Sequence, residues 1–194
     1  MLPNPLHAAI VHFPVVLAVL LPLVAVGALI AIRRGSRPFT AWGLTSMVAT
    51  ALLLSSWAAL ETGEAEEETV EDVVSERVIG GHEEAAQFFT TVAGGVLLLT
   101  VAGLANGKLG AGARLAATIG TFAVVAAGVK VGHSGGQLVY KYGAGAAYAD
   151  ANPAAGMVDT PETDRNAATP DATPQIKEGA ERGARGGDND TDDR

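Results

Sequence analysis

Histidines are the side chains of this sequence best suited to hold a metal ion or a cofactor, because the chain contains no cysteine. A neutral imidazole offers one ring nitrogen as a ligand, and an ionisable group placed inside a bilayer marks a functional-site candidate by default. The absence of cysteine excludes thiolate metal sites, iron–sulfur clusters and covalently attached c-type haem. Among 194 residues there are only four histidines, namely His7, His12, His82 and His133.

Four apolar blocks of membrane-spanning length organise the rest of the chain. They run from about residue 6 to 32, 39 to 60, 82 to 105 and 111 to 131. A helix needs about 20 apolar residues to cross the hydrocarbon core, and a soluble core rarely repeats that length four times. The sequence therefore predicts an all-α polytopic membrane protein, an antiparallel four-helix transmembrane bundle over residues 1–149, in contact with the lipid bilayer. The formal charge of −8 argues against nucleic acid as a partner.

Two acidic regions accompany the apolar blocks. The connection from Glu61 to His82 holds eight acids and one base, with four glutamates spaced along one helical face and valines on the other. We predict a short amphipathic helix here, lying on the membrane surface and ending at Gly80-Gly81. Residues 150–194 hold eleven acids and five bases with few large apolar side chains, which is typical of a disordered acidic tail. The four glutamates are Glu64, Glu67, Glu68 and Glu71.

The distribution of charged residues between the two ends of the bundle predicts the orientation of the protein in the membrane. The two short turns at one end of the bundle carry five bases and no acid, whereas the other end carries the acidic connection and the acidic tail. The positive-inside rule places the basic turns in the cytoplasm. We therefore expect a multi-pass protein of a bacterial inner membrane with its N-terminus and C-terminus outside. The five bases are Arg33, Arg34, Arg37, Lys108 and Arg114.

Counting residues from the basic turns predicts that all four histidines lie near the outer surface. At about 1.5 Å per helical residue, His12 and His133 lie roughly 30 Å from the basic end, and His7 and His82 lie roughly 39 Å from it. Two imidazoles on facing helices can hold b-type haem without a covalent link. Their equal depth makes His12 and His133 the preferred axial pair, with glycines beside His133 leaving room for a porphyrin. His7 and His82 would then contact the haem propionates or form a second site.

Three short motifs, taken in order, resemble a bacterial family of predicted membrane proteins, domain of unknown function 2231. The resemblance covers about residues 6 to 146 and implies a four-helix membrane domain found beside cytochrome modules, with haem ligands among His7, His12, His82 and His133. The motifs are Leu6-His7 with Val11-His12-Phe13-Pro14, Thr62-Gly63-Glu64-Ala65-Glu66-Glu67 with His82-Glu83-Glu84, and Gly132-His133 with Gly135-Gly136-Gln137-Leu138-Val139-Tyr140.

These observations lead to one expected function and two alternatives. The expected function is that of a membrane protein that binds haem b and transfers electrons at the outer, periplasmic face, as part of a larger redox complex with other membrane subunits or a cytochrome. The first alternative is a cofactor-free structural or accessory subunit. The second is a periplasmic-side metal-binding protein that uses the histidines, His12 and His133 first among them, and the acidic face. No Ser–His–Asp order or paired-carboxylate spacing indicates a hydrolase, so a non-catalytic role is favoured.

Overall fold

The structure is a computed structural model that describes residues 5–148, and residues 1–4 and 149–194 lie outside the described part. The tail predicted for residues 150–194 therefore stays a prediction. Within residues 5–148 the chain forms helices joined by short turns and contains no strand. The helices are α1 (Leu6–Ile10), α2 (His12–Arg33), α3 (Pro38–Glu71), α4 (Glu76–Ala102) and α5 (Gly107–Tyr140), followed by a 3-10 helix at Ala144–Tyr148.

Four helical segments are long and apolar enough to cross a bilayer, so the chain is a multi-pass membrane protein. The first segment consists of α1 and α2 together, and α3, α4 and α5 are the others. Each segment packs against the next one in the chain, and α2 also packs against α5, which closes the arrangement into a bundle. Large apolar side chains cover the outside, as contact with lipid requires. The predicted all-α four-helix bundle is confirmed.

A break at Val11 separates α1 from α2, and Pro14 explains it. Proline has no backbone N–H, so the carbonyl oxygen of Ile10, four residues earlier, has no helical donor. The helical hydrogen bonds on either side of this carbonyl are kept. The N–H of Val11 donates to the His7 carbonyl at 3.0 Å, and the N–H of Val15 donates to the Val11 carbonyl at 3.3 Å. The first membrane segment therefore consists of two helices, α1 and α2, that meet at Val11.

The acidic connection does not form the separate surface helix that the sequence predicted. Instead, α3 continues from Pro38 to Glu71 as one helix of 34 residues. At 1.5 Å per residue it is about 51 Å long, and the hydrocarbon core is only about 30 Å thick. Glutamate and alanine are strong helix formers, and no proline lies between Leu60 and Glu71, so continuation is favoured over a new helix. The acidic segment is therefore an extension of α3 beyond the apolar layer.

Two glycine pairs lie inside helices. Gly80-Gly81, predicted to end the surface helix, belongs to α4, which begins at Glu76. Gly135-Gly136 belongs to α5, which reaches Tyr140, whereas the sequence predicted an end near Val131. A glycine costs a helix about 1 kcal/mol relative to alanine, and the packing of α4 against α5 offsets that cost. Both helices therefore extend beside the C-terminal part of α3 and form one polar end of the bundle.

Small side chains fill the centre of the bundle and allow the helices to approach closely. At Gly94-Gly95 the helices lie in ordinary contact, because a Cβ atom on Gly94 would lie 3.8 Å from Cδ1 of Leu53 and one on Gly95 would meet nothing within 4 Å. A tighter contact between α4 and α5 lies at Gly120, where a Cβ atom would come within 2.8 Å of Cγ2 of Val96. The main core consists of Ala18, Leu21, Ala49, Leu52, Phe89, Ala93, Val96, Val124 and Ala127.

At the basic end of the bundle, Arg114 is buried against the end of α4. Its side chain is only 6% exposed, and Nη1 donates to the carbonyl oxygens of Gly103 and Ala105. These carbonyls follow the last turn of α4, where the helix dipole is negative and backbone acceptors lack helical partners. The indole Nε1 of Trp42 donates to the carbonyl oxygen of Thr100 at 2.9 Å. Side chains from α3 and α5 thus hold the C-terminal end of α4 in place.

We expect Gly110→Ala to destabilise the protein strongly, because a Cβ atom at this position would overlap the backbone carbonyl oxygen of Ala105. Relieving the overlap must move the α4–α5 turn, at a cost of about 3 kcal/mol. Gly112→Ala is the matched control, since a Cβ atom there meets nothing within 4 Å. Thermal unfolding in detergent should show a much lower unfolding temperature for Gly110→Ala and an almost unchanged one for Gly112→Ala. Equal stability of the two variants would contradict this packing.

Candidate functional site

The histidines that the structure brings together are His7 and His82. His7 lies on α1 and His82 on α4, at the end of the bundle opposite the basic turns. Both side chains are partly buried. Their ring centroids are 6.3 Å apart, and the ring planes are nearly perpendicular at 83°. Two imidazoles from different helices therefore lie next to each other at the end of the bundle that carries the acidic extension of α3.

The His7 ring is held by a backbone carbonyl. Its Nδ1 atom lies 2.9 Å from the carbonyl oxygen of Ala59 on α3. A carbonyl can only accept a hydrogen bond, so the Nδ1 atom of His7 must carry the proton. In the neutral ring the Nε2 atom then has a free lone pair, which is the form that binds a metal.

The His82 ring is held by a serine. Its Nδ1 atom lies 2.8 Å from Oγ of Ser134 on α5. The hydroxyl of Ser134 also lies 2.9 Å from the carbonyl oxygen of Val131. A hydroxyl has one proton, and when Ser134 donates it to Val131, Oγ accepts from His82 and Nδ1 carries the ring proton. In that arrangement the Nε2 atom of a neutral His82 has a free lone pair, as that of His7 does.

Two glycines allow the rings to lie directly against helix backbones. A Cβ atom on Gly63 would come within 3.2 Å of Cε1 of His7, and one on Gly135 would come within 3.1 Å of Cε1 of His82. Both distances are tighter than ordinary van der Waals contact. Side chains at these positions would push the rings away from Ala59 and Ser134, so glycine at 63 and 135 is part of how the pair is positioned.

Glu66 connects this histidine pair to both ends of the described chain. Its Oε1 atom accepts a hydrogen bond from the backbone N–H of His7 at 3.0 Å, which satisfies a free donor in the first turn of α1. Its Oε2 atom accepts from the hydroxyl of Tyr148 at 3.0 Å. Partial burial and the Glu66 carboxylate raise the pKa of Tyr148 from 10.0 to about 12, so its phenol stays protonated and keeps donating. Glu66 therefore ties α1 and the 3-10 helix to α3.

The roles of Glu66 and Tyr148 did not emerge from the sequence. A usable signal exists for Glu66, because Ala59, Gly63 and Glu66 are spaced i, i+4 and i+7 and thus share one face of α3. On that face, the Ala59 carbonyl accepts from the His7 ring and the Glu66 carboxylate accepts from the His7 backbone N–H. Gly63 has no side chain and leaves room for the ring. No local pattern marks Tyr148, which reaches Glu66 only because the chain turns back after α5.

His12 and His133, the preferred pair by depth, are both exposed. Nε2 of His133 lies 2.9 Å from the side-chain nitrogen of Gln137, one turn further along α5. The structure records a ring contact between His7 and His82 but none between His12 and His133. The rise per residue along a helix predicts how deep a side chain lies, but it does not predict which way the side chain points around the helix axis. The five residues from His7 to His12 would turn a regular helix by about 140°, and the break at Val11 adds to the difference.

The acidic face does not supply further ligands to this site. Among residues 5–148, no three histidine, aspartate or glutamate side chains lie close enough to hold a metal ion together. The candidate site therefore consists of two imidazoles, each held through Nδ1 by a neighbouring helix, with a carboxylate that bonds to the backbone N–H of His7.

The raised pKa of Tyr148 predicts how its contribution to stability depends on pH. A phenol whose pKa is higher in the folded state than in the unfolded chain stabilises the fold below the unfolded value of about 10, and that stabilisation is lost as pH rises towards the folded value of about 12. The difference in unfolding temperature between wild type and Tyr148→Phe should therefore be constant up to about pH 10 and shrink above it.

Tyr140→Phe is the control for this measurement, because Tyr140 is 92% exposed. Two results would contradict the bond between Tyr148 and Glu66. In the first, the difference in unfolding temperature between wild type and Tyr148→Phe stays the same up to about pH 12. In the second, the difference between wild type and Tyr140→Phe declines equally.

Comparison of the chain with protein-family models, with curated proteins and with solved structures finds no match. The resemblance to domain of unknown function 2231 therefore rests on the three sequence motifs alone and stays a prediction.

Proposed function

We propose that the protein binds haem b between His7 and His82 and transfers electrons at that end of the bundle. The observation that carries the proposal is the contact between two imidazoles from α1 and α4, each of which is hydrogen-bonded through Nδ1. A metal ion held by two imidazoles at about 2 Å from each nitrogen would separate the ring centroids by roughly 6 Å. The 6.3 Å between the rings of His7 and His82 agrees with that separation. His7 and His82 would hold the haem iron through their Nε2 atoms.

The contacts around the rings have the form that metal-binding histidines need. A ligating imidazole usually donates its other N–H to a carbonyl or hydroxyl, which orients the ring and increases its basicity. Ala59 supplies that acceptor for His7 and Ser134 supplies it for His82. Haem iron bound there would supply one-electron transfer. The role of the protein would be to hold the two rings and to limit access of water.

A cofactor-free accessory subunit is the second candidate, and one observation favours it. Two open grooves in the described part of the chain lie away from the pair, one along α5 from Gly132 to Lys141 and one at the turn between α2 and α3. Without a cofactor, the bonds of His7 and His82 would serve to fasten α1 and α4 to their neighbours. In either case we propose that the protein works with other membrane subunits or a cytochrome.

A visible absorption spectrum of the full-length protein, purified in detergent from cells supplied with haem precursor, tests the proposal. We expect a Soret band and a low-spin spectrum in the wild type, and loss of both in His7→Ala and in His82→Ala. His12→Ala and His133→Ala are matched controls, because these exposed histidines should leave the spectrum intact.

The same experiment includes the results that would contradict the proposal. A wild-type protein without a Soret band favours the accessory-subunit function, and bound transition metal without a Soret band favours the metal-binding alternative. A low-spin spectrum that survives in the double variant His7→Ala, His82→Ala would show that other residues ligate the iron.

We also propose that the basic turns face the cytoplasm of a bacterial inner membrane and that both termini lie outside. The support is the separation of charge, because within residues 5–148 every acid lies between Glu61 and Glu84, at or near the other end. Native cysteine is absent, so single cysteines can report orientation. An impermeant thiol reagent added to intact cells should label Glu68→Cys and spare Lys108→Cys, and the reverse pattern would contradict this topology.

A further inference from the structure

A groove opens at the turn between α2 and α3, at the opposite end of the bundle from the histidine pair. Its volume is about 430 Å³, and its walls come from the end of α2, the turn and the first residues of α3. Two alanines leave the space open, while one arginine and two hydroxyls line its polar side. The lining residues are Ala31, Ser36, Arg37, Thr40 and Ala41.

The charge around this groove has no partner within the described chain. Arg37 lies beside Arg33 and Arg34, and all three side chains are exposed. No aspartate or glutamate occurs before Glu61, and none occurs between Glu84 and Asp150, so residues 5–148 place no acid in either basic turn. Three arginines within five residues of the chain attract an anion, and arginine matches the geometry of phosphate oxygens better than lysine does.

Polar groups other than the arginines also suit an anion at this place. The hydroxyls of Ser36 and Thr40 can both donate, and the groove reaches the first turn of α3, which begins at Pro38. Backbone N–H groups in a first turn lack helical acceptors and point away from the helix, towards a negative ligand. These donors add to the arginine cluster.

Apolar surface continues from the groove along the membrane-facing sides of both helices. Ile30 on α2 is 45% exposed and Phe39 on α3 is 68% exposed, next to the lining residues in the chain. A free phosphate ion would use only the polar side of such a site. A ligand with a charged head and hydrocarbon chains would use both sides.

We propose that this groove binds the headgroup of an anionic phospholipid of the surrounding bilayer. Arg37 pairs with the phosphate, Arg33 and Arg34 add to the attraction, and the acyl chains lie along the apolar faces of α2 and α3. Basic pockets between membrane helices are known places for acidic lipids. The site is independent of haem binding, since it shares no residue with the histidine pair.

The test is native mass spectrometry of the full-length protein with phosphatidylglycerol or phosphatidylcholine added at increasing concentration. We expect the wild type to retain one phosphatidylglycerol at lower concentration than phosphatidylcholine. Arg37→Gln should weaken retention of phosphatidylglycerol about fivefold, the effect of one basic residue near an anionic headgroup. Lys108→Gln is the matched control, because it removes one exposed charge from the other basic turn and should leave retention unchanged.

A second variant tests the groove without changing charge. Ala41→Leu should fill the space between the helices and weaken phosphatidylglycerol retention while leaving the unfolding temperature in detergent close to wild type. Equal retention of the two lipids by the wild type would overturn the proposal, as would equal effects of Arg37→Gln and Lys108→Gln. Glycerol phosphate that displaces phosphatidylglycerol completely at similar concentration would indicate a free phosphate ligand and would overturn it too.

Discussion

The inability of a bilayer to hydrogen-bond with the backbone is the constraint on which this structure depends. It requires the four spanning segments to be helical and leaves polar side chains few places in the apolar layer. The ionisable groups accordingly collect towards the two ends of the bundle. One end holds the histidine pair with Glu66 and Tyr148, and the other holds Arg33, Arg34, Arg37 and Arg114. The two proposed binding sites follow from this separation, because each lies at one of these ends.

The end with the histidines illustrates how the surroundings of a ring select its chemical form. The Ala59 carbonyl can only accept, so Nδ1 of His7 carries the ring proton, and Ser134 leaves His82 in the same form when its hydroxyl donates to Val131. Gly63 and Gly135 give the rings access to those acceptors. The long extensions of α3 and α5 are what bring these residues to the level of His7 and His82. The unbroken helices are therefore as important to the candidate site as the histidines themselves.

The sequence was sufficient to predict the four spans, because soluble domains rarely contain several apolar blocks of about 20 residues. It also predicted that His7 and His82 lie at one depth. It could not predict which histidines meet, because contact depends on rotation about each helix axis and on the break that Pro14 causes at Val11. The continuation of α3 to Glu71 was missed because a glutamate-rich amphipathic pattern fits both a surface helix and a helix extension. The contact at Gly120 depends on the register between α4 and α5, which sequence spacing alone does not define.

The central claim concerns the tautomers of the His7 and His82 rings. Nuclear magnetic resonance of protein that carries 15N-labelled histidine measures these tautomers most directly. The spectra would be recorded on cofactor-free protein at alkaline pH, where imidazoles are neutral, and assigned with His7→Gln and His82→Gln. The structure predicts that both rings carry their proton on Nδ1 and leave Nε2 unprotonated. A proton on Nε2 of either ring would contradict the account.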